Sequence, residues 1–143
     1  MYDCTTKLME NLHLNTQGDP IRIVLIDDDK VTIFMSKKIL SNYDPKLIVD
    51  SFASGKEAID FLKINKPVSP TILLLDINMP DYSGWDFLQE FSDLTSDCKV
   101  FMFTSSIDMK DLEKSKTFKK VLGFISKPLN AEKIKQLLAD AFN

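Results

Sequence analysis

The stretch TILLLDINMP, residues 71–80, decides how this chain folds. Its first five residues are β-branched or leucine, and the run stops at Asp76. An uninterrupted apolar run of this kind is typical of a strand that is buried on both faces of a parallel sheet. Because such a strand needs helices packed above and below it, the run predicts an α/β protein.

Apolar runs alternate with helical patterns on both sides of this stretch. A β-branched run at 21–26 stops at three aspartates, and apolar residues at close to helical spacing follow it. Ser54 and Glu57 have the spacing of a capping box, and Asn130 is placed to cap the last helix. Strands are predicted at 21–26, 47–52, 71–75, 100–103 and 121–125, and helices at 30–41, after Ser54, after Gly84, at 108–118 and after Asn130.

Strands that alternate with helices imply one parallel sheet with helices on both of its faces. Right-handed crossovers restrict such a chain to a few doubly wound strand orders. The polar residues 1–20 end in the turn-forming Gly18-Asp19-Pro20, so we expect them to be an N-terminal extension. The folded domain is then expected to cover residues 21–143.

Apolar residues at helical spacing predict which helix faces lie in the core. This spacing is present in both the first and the last helix of the predicted domain. The predicted apolar positions are Val31, Phe34, Met35, Ile39 and Leu40 in the first helix, and Ile134, Leu137, Leu138, Ala141 and Phe142 in the last.

Composition and charge exclude several classes of protein. The chain has 143 residues, of which 44% are hydrophobic, so it is long enough for one domain with its own core. Its net charge of −3 argues against nucleic acid as a partner, and no apolar run is long enough to span a membrane. The single histidine, His13, excludes a multi-histidine metal site, and Cys4 and Cys98 are expected to be reduced thiols.

The polar residues of interest stand at the carboxyl ends of the predicted strands. Residues 27–29 are all aspartates and follow the first strand; Asp76, Thr104 and Lys127 stand at the ends of three others. Ligands of doubly wound sheets bind at this edge. Neighbouring carboxylates repel each other unless a cation lies among them, and a set of oxygen ligands suits Mg²⁺. A metal ion, a hydroxyl and an ammonium around one carboxylate predict a site for a phosphoryl group.

Single members of this set have simpler interpretations. Asp29 alone has the position of a helix-cap or turn residue, and Thr104 alone fits a structural role as well as a functional one. The combination is more specific, because four strand ends each carry the residue type that this chemistry needs. We therefore take the four strand ends together as the candidate site.

Four segments resemble the receiver domain of bacterial two-component response regulators: IVLIDDDK (23–30), TILLLDINMPDYSGWDFL (71–88), VFMFTSS (100–106) and VLGFISKPL (121–129). The resemblance extends from Ile21 to Phe142. It implies a five-stranded sheet in the flavodoxin-like order 2-1-3-4-5, with helices on both faces. It also implies a cis peptide bond between Lys127 and Pro128.

The resemblance assigns roles to the acidic residues and to the lysine. Asp76 matches the aspartate that accepts the phosphoryl group. Asp27 and Asp28 match the acidic pair that holds Mg²⁺, or Mn²⁺ in its place, together with Asp76. The backbone carbonyl of Asn78 would be a further metal ligand, and Lys127 matches the catalytic lysine of a Lys-Pro motif.

Three more residues match family positions outside the metal site. Thr104 matches the switch hydroxyl, and Phe124 matches the aromatic residue that rotates with it. Gly84 stands where the family has a turn glycine. A fixed core residue is the alternative interpretation of Phe124.

The resemblance implies a stand-alone cytoplasmic receiver that signals and is not an enzyme. A sensor histidine kinase or a histidine phosphotransfer protein would phosphorylate Asp76, and self-phosphorylation and self-dephosphorylation would be the only chemistry. A switch through Thr104 and Phe124 would then act on a protein partner, without contact to nucleic acid or membrane. A run of basic residues suits an acidic partner, with a solvated helix face as the default interpretation. These residues are Lys110, Lys114, Lys116, Lys119 and Lys120.

A small phosphatase of the haloacid dehalogenase type, with an aspartyl nucleophile, is the alternative function. Asp27-x-Asp29 after an apolar strand superficially fits its first motif, and Thr104 and Lys127 would serve as its hydroxyl and lysine. That chemistry needs a second acidic pair after the lysine, which no strand end here supplies, and it leaves Asp76 without a role. A receiver that binds without phosphorylation is less favoured, because every expected site residue is present.

Overall fold

The computed structural model describes residues 20–65, 70–91 and 98–142, so most of the predicted extension at 1–20 lies outside it, as do Cys4 and His13. The strands are β1 (Arg22–Ile26), β2 (Ile48–Phe52), β3 (Thr71–Leu75), β4 (Cys98–Thr104) and β5 (Val121–Ser126). The helices are α1 (Lys30–Tyr43), α2 (Gly55–Ile64), α3 (Gly84–Phe91), α4 (Met109–Ser115) and α5 (Ala131–Phe142). None of these helices combines the length and the apolar character that a bilayer crossing needs.

The five strands form one sheet in the order β2-β1-β3-β4-β5, and every neighbouring pair is parallel. The predicted doubly wound α/β fold and its strand order are thereby confirmed. β3 lies in the centre of the sheet, and all five of its residues are buried, because its apolar sequence leaves neither face suited to water. The register pairs Ile26 with Leu75, so β1 and β3 end side by side.

Alternate side chains of β3 enter two separate cores. Leu73 and Leu75 pack with residues of α2 and α3, whereas Ile72 and Leu74 pack with residues of α1 and α5. The helices therefore cover both faces of the sheet, as predicted. Helix α4 is the least anchored of the five, because none of its residues is buried.

All five helices begin at a side chain that accepts a backbone N–H of the first turn, and in α3 the Oγ of Ser83 accepts from the N–H of Asp86 over 3.2 Å. Ser54 accepts over 3.1 Å and Asn130 over 2.8 Å, so both predicted caps are confirmed. Asp29 begins α1 and Asp108 begins α4 in the same way. These short polar side chains satisfy donors that have no partner within the helix, which is why the helices start where they do.

The predicted apolar face of α1 is wrong for three of its residues. Val31, Phe34 and Met35 are 65%, 67% and 50% exposed. The helix turns the face that carries Ser36 and Leu40 towards the sheet instead. The sequence contains two overlapping stripes of suitable spacing, and packing against the sheet selects the one that includes a serine.

Two helix ends also differ from the prediction. Phe142, the last residue of α5, is 39% exposed. Helix α4 ends at Ser115 and not at residue 118, because the N–H groups of residues 116–118 donate to carbonyls three residues earlier instead of four. The remaining residues of the predicted α5 stripe are buried: Ile134, Leu137, Leu138 and Ala141.

Close packing at Gly84 generates a stability prediction. A Cβ on Gly84 would stand 2.5 Å from the carbonyl oxygen of Asp76 and 3.1 Å from the Cα of Ile77. Both are backbone atoms, so we expect Gly84→Ala to lower the free energy of unfolding by about 1–3 kcal/mol in urea unfolding. Gly123→Ala is the matched control, because its Cβ would meet Phe101 at an ordinary 3.7 Å. Equal stability of the two variants would contradict the conclusion that the backbone around Gly84 leaves no space for a Cβ.

Candidate functional site

The ends of β1 and β3 bring two buried aspartates together. Asp27 is 1% exposed, and Asp76 is 6% exposed. The N–H of Asp76 donates to the carbonyl oxygen of Ile26 over 2.9 Å, so the hydrogen-bond ladder continues up to the site. Because parallel strands end at one edge of the sheet, the apolar runs that bury the strands also position both carboxylates.

Three of the predicted acidic residues form one cluster. Carboxylate oxygens of Asp27, Asp28 and Asp76 lie within 4.8 Å of one another, and only Asp28 is exposed. Carboxylates at this distance repel one another, and a bound cation would offset the repulsion. A donor set made of oxygen atoms fits a hard divalent ion such as Mg²⁺ better than a softer metal.

Lys127 brings positive charge to this cluster. Its Nζ lies 2.6 Å from Oδ2 of Asp27 and 3.6 Å from Oδ1 of Asp76. Its backbone N–H donates to the carbonyl oxygen of Thr104 over 2.8 Å, which ties the end of β5 to the end of β4. The peptide bond between Lys127 and Pro128 is cis, as the family resemblance implies.

The environment of Asp76 raises the pKa of its carboxyl group. Burial is the largest cause, and the charge of Asp27 is the second, while Lys127 and the Asn78 N–H act in the opposite direction. The Asn78 N–H donates to Oδ1 of Asp76 over 3.3 Å, so Asn78 lies in the loop directly after the carboxylate. More positive charge in the site would therefore stabilise the ionised form of Asp76.

Asp29 lies next to the cluster in the sequence but has a different role. Its carboxylate accepts hydrogen bonds from the N–H of Val31 over 3.0 Å and from Oγ1 of Thr32 over 2.8 Å. These bonds lower the pKa of Asp29, and the Thr32 hydroxyl is the largest cause. The helix-cap interpretation of Asp29 is thereby confirmed.

The two residues predicted to switch lie on neighbouring strands. Thr104 is 2% exposed, and its Oγ1 donates to the carbonyl oxygen of Ser106 over 3.0 Å. Phe124 is partly buried and packs against the core that α2 and α3 cover. The register pairs Phe124 with Met102, two residues before Thr104, so both side chains lie on the same face of the sheet. Sequence reasoning did not anticipate the hydrogen bond to Ser106, because no local pattern indicates it.

Sequence reasoning also missed an apolar surface beside the cluster. Val31, Phe34 and Met35 form this surface on α1, and Phe34 lines a hollow of about 350 Å³ whose wall includes Asp27. Large apolar side chains that are exposed together often mark a place where a partner binds. The feature of the sequence that could have indicated this surface is the position of these residues directly after the three aspartates.

Comparison with known proteins identifies the family of this chain. Residues 23–139 match the response regulator receiver domain. The chain belongs to this family. Its receiver domain is 26% identical to the chemotaxis protein CheY of Listeria monocytogenes over 121 residues, which cover 85% of this chain and 98% of that protein.

Longer regulators and solved structures also match the receiver domain. The probable C4-dicarboxylate response regulator DctR of Halalkalibacterium halodurans is 25% identical over 118 residues, or 82% of this chain and 50% of that protein. The chain thus spans about half the length of the larger regulators that it matches. The crystal structure of a response regulator receiver protein from Dyadobacter fermentans superposes on this chain with a TM-score of 0.76 and is 25% identical in sequence. The superposition covers 85% of this chain and 97% of that chain.

The raised pKa of Asp76 generates a prediction about stability and pH. A carboxyl group whose pKa is higher in the folded state stabilises the fold fully below its unfolded pKa, and this contribution is lost as the pH rises through the folded pKa. At pH 7 without divalent ions, we therefore expect Asp76→Asn to raise the free energy of unfolding by on the order of 1 kcal/mol.

Urea unfolding at pH 7 and at pH 3.5 measures this difference, which we expect to disappear at the lower pH because the wild-type carboxyl group is then protonated. Asp60→Asn, on the exposed side of α2, is the control and should change stability little at either pH. A variant Asp76→Asn that is no more stable than the wild type at pH 7 would contradict the assigned cause.

Proposed function

We propose that this receiver domain accepts a phosphoryl group on Asp76 and passes the signal to a protein partner. The position of Asp76 carries the proposal: its buried carboxylate lies in a cluster of three acids, with the Lys127 ammonium 3.6 Å away. An oxygen of the carboxylate attacks phosphorus while the bond from phosphorus to an imidazole nitrogen of the donor breaks. The products are an acyl phosphate on Asp76 and a free histidine on the donor.

Mg²⁺, or Mn²⁺ in its place, is the cofactor in this proposal. Asp27, Asp28 and Asp76 would hold it together with the backbone carbonyl of Asn78, and the donor set of oxygen atoms supports this assignment. A bound divalent cation supplies positive charge that offsets the charge of the phosphoryl oxygens. Asp28 is exposed, so the cluster is open to solvent on the side of this residue.

The Lys127 ammonium also stabilises the transferred phosphoryl group. Asp27 holds the ammonium at 2.6 Å, which keeps it next to Asp76 before any phosphoryl group arrives. The N–H groups of the ammonium can donate to a phosphoryl oxygen, and charge-assisted hydrogen bonds of this kind are stronger than neutral ones. Hydrolysis of the acyl phosphate by water in the same site returns the domain to its starting state.

Thr104 and Phe124 form the proposed switch. The Thr104 hydroxyl donates to Ser106 in its own loop and not to the acidic cluster. A phosphoryl group on Asp76 adds acceptor oxygens that compete for this hydroxyl. Movement of the Thr104 side chain towards the phosphoryl group then opens space on the face of the sheet that Thr104 shares with Phe124. Helix α4 buries no residue of its own, so it is the element that such a change displaces most easily.

The phosphoryl donor in this proposal is a sensor histidine kinase or a histidine phosphotransfer protein. The apolar surface formed by Val31, Phe34 and Met35 gives such a protein a place to dock beside the acidic cluster. Removal of this surface from water stabilises the complex, and the donor histidine can then reach Asp76.

The phosphatase alternative has no comparable support. It needs Asp29 as the second acid of its motif, whereas the Asp29 carboxylate accepts hydrogen bonds from Val31 and Thr32 as the cap of α1. The family that matches residues 23–139 is the receiver family. The acceptor chemistry of Asp76 is therefore the function that we propose.

Asp76→Asn tests the proposed acceptor. We expect the wild-type chain to gain one phosphoryl group from acetyl phosphate and Mg²⁺, and we expect the variant to gain none, because an amide oxygen is a poor nucleophile. Intact-mass spectrometry measures the gain, and Asp29→Asn is the control that should still be phosphorylated. An acyl phosphate on Asp27, or phosphorylation of Asp76→Asn at the wild-type rate, would overturn the assignment.

Asp28→Ala tests the metal ligands. We expect the affinity for Mg²⁺ to fall by about tenfold or more in isothermal titration calorimetry, because one of three clustered carboxylates is lost. Asp29→Ala is the matched control, because it removes a neighbouring carboxylate that caps α1. The control should lose about 0.5–2 kcal/mol of stability and keep its affinity for Mg²⁺. Unchanged Mg²⁺ binding by Asp28→Ala would remove Asp28 from the ligand set.

A further inference from the structure

A groove of about 700 Å³ lies between α3 and the segment that joins α4 to β5. Residues 119 and 120 directly precede β5, so the groove lies at the amino-terminal edge of the sheet, opposite the edge that carries the acidic cluster. Three lysines and two large apolar side chains share this concave surface. They are Lys114, Lys119, Lys120, Leu88 and Phe118.

Lys120 places a buried ammonium group at the groove. Its Nζ has less than 1 Å² of exposed surface and no hydrogen-bond acceptor among the residues that the structure describes. The ammonium lies 4.9 Å from the centroid of the Phe91 ring, which provides a weaker attraction than an anion would. A buried ammonium without an acceptor is unfavourable, and rotation of the flexible Lys120 side chain towards an anion in the groove would remove this penalty.

Lys114 provides a second positive site in the groove. Its Nζ lies 5.3 Å from the centroid of the Trp85 ring. None of the ion pairs within residues 20–65, 70–91 and 98–142 involves Lys114, Lys119 or Lys120. The groove is therefore locally positive in a chain whose net charge is −3.

The spacing of the two positive sites indicates the kind of ligand. Trp85 and Phe91, the rings under the two ammonium groups, are six positions apart on α3, which is about 9 Å along the helix axis. Leu88 lies midway between them and lines the groove with Phe118. A peptide in the polyproline II conformation carries side chains three residues apart on the same side, about 9 Å from each other, so two of its side chains can reach both sites at once.

We propose that this groove binds an acidic segment of a protein partner, in which two carboxylates three residues apart flank an apolar side chain. One carboxylate pairs with Lys120, and the other pairs with Lys114, with Lys119 close to both. The apolar side chain packs against Leu88 and Phe118. One carboxylate thus provides the acceptor that the buried ammonium of Lys120 lacks, and the apolar contact removes hydrophobic surface from water.

This interaction differs from the response to phosphorylation that we propose for the domain. A neighbouring hollow is lined by Leu112 and Phe124, and it shares Phe118 and Lys119 with the groove. Lys114 and Lys120 line the groove and not that hollow. The acidic segment therefore pairs with ammonium groups that lie outside that hollow, and its binding to the unphosphorylated chain does not rest on the chemistry of Asp76.

Trp85 reports on the groove, because it is the single tryptophan of the chain and Lys114 lies over its ring. Phe118 stacks on the same ring, with the centroids 5.8 Å apart. The probe is the peptide acetyl-Gly-Glu-Leu-Ala-Glu-Gly-amide, titrated into the full chain at low ionic strength. We expect a saturable change in Trp85 fluorescence, and no change with a peptide that has glutamine in place of both glutamates. Equal responses to the two peptides would overturn the proposal.

Lys120→Met tests the role of the buried Lys120 ammonium in peptide binding. This variant keeps an unbranched side chain and removes the ammonium, so we expect peptide binding to weaken by on the order of tenfold. Lys114→Met, at an exposed position, is a second variant for which we expect weaker binding without a risk to the fold. Lys116→Met is the matched control and should bind as the wild type does, because Lys116 pairs with Glu113 and does not line the groove. Wild-type affinity in both Lys120→Met and Lys114→Met would disprove the assignment.

Inorganic phosphate distinguishes a peptide site from a site for small anions. We expect phosphate at the same concentration as the peptide to leave Trp85 fluorescence unchanged, because phosphate cannot make the apolar contact with Leu88 and Phe118 that the peptide makes. Displacement of the peptide by equimolar phosphate would overturn the peptide site in favour of a small-anion site.

Discussion

The ion pair between Asp27 and Lys127 is the interaction on which the acidic cluster depends. Asp27 and Asp76 end neighbouring strands as buried carboxylates, and their repulsion opposes the alignment of those strands. The Lys127 ammonium offsets part of this repulsion, at 2.6 Å from Asp27 and 3.6 Å from Asp76. It does so from the end of β5, two strands away from β3, so the charge balance of the site also links distant parts of the sheet.

The parallel sheet separates the two proposed binding regions. Its carboxyl-terminal edge collects the acidic residues and Lys127, whereas its amino-terminal edge borders the groove with Lys114 and Lys120. The acidic cluster and the lining of the groove have opposite charge, so they suit different partners: a cation and a phosphoryl donor at the cluster, and an acidic segment at the groove. Helix α4 borders the groove and buries none of its own residues, which makes it the most easily displaced part of this surface.

Features that depend on a few neighbouring residues could be predicted well. The apolar run of β3, the caps at Ser54 and Asn130 and the polar residues at the strand ends are all local patterns. The strand order and the cis bond before Pro128 followed from the family resemblance, since crossover rules alone left several orders open. The partner of the Thr104 hydroxyl could not be predicted, because it depends on how the loop after β4 folds back.

The sequence by itself determined the number and kind of the elements and which residue types end the strands, because periodicity and capping act over short stretches of chain. Only the tertiary structure decided which of two apolar stripes of α1 faces the sheet, and so left Phe34 exposed. Only the tertiary structure placed Lys127 against Asp27, and Lys120 in a groove without an acceptor. These outcomes depend on contacts between residues that are far apart in the chain, and a local pattern contains no information about them.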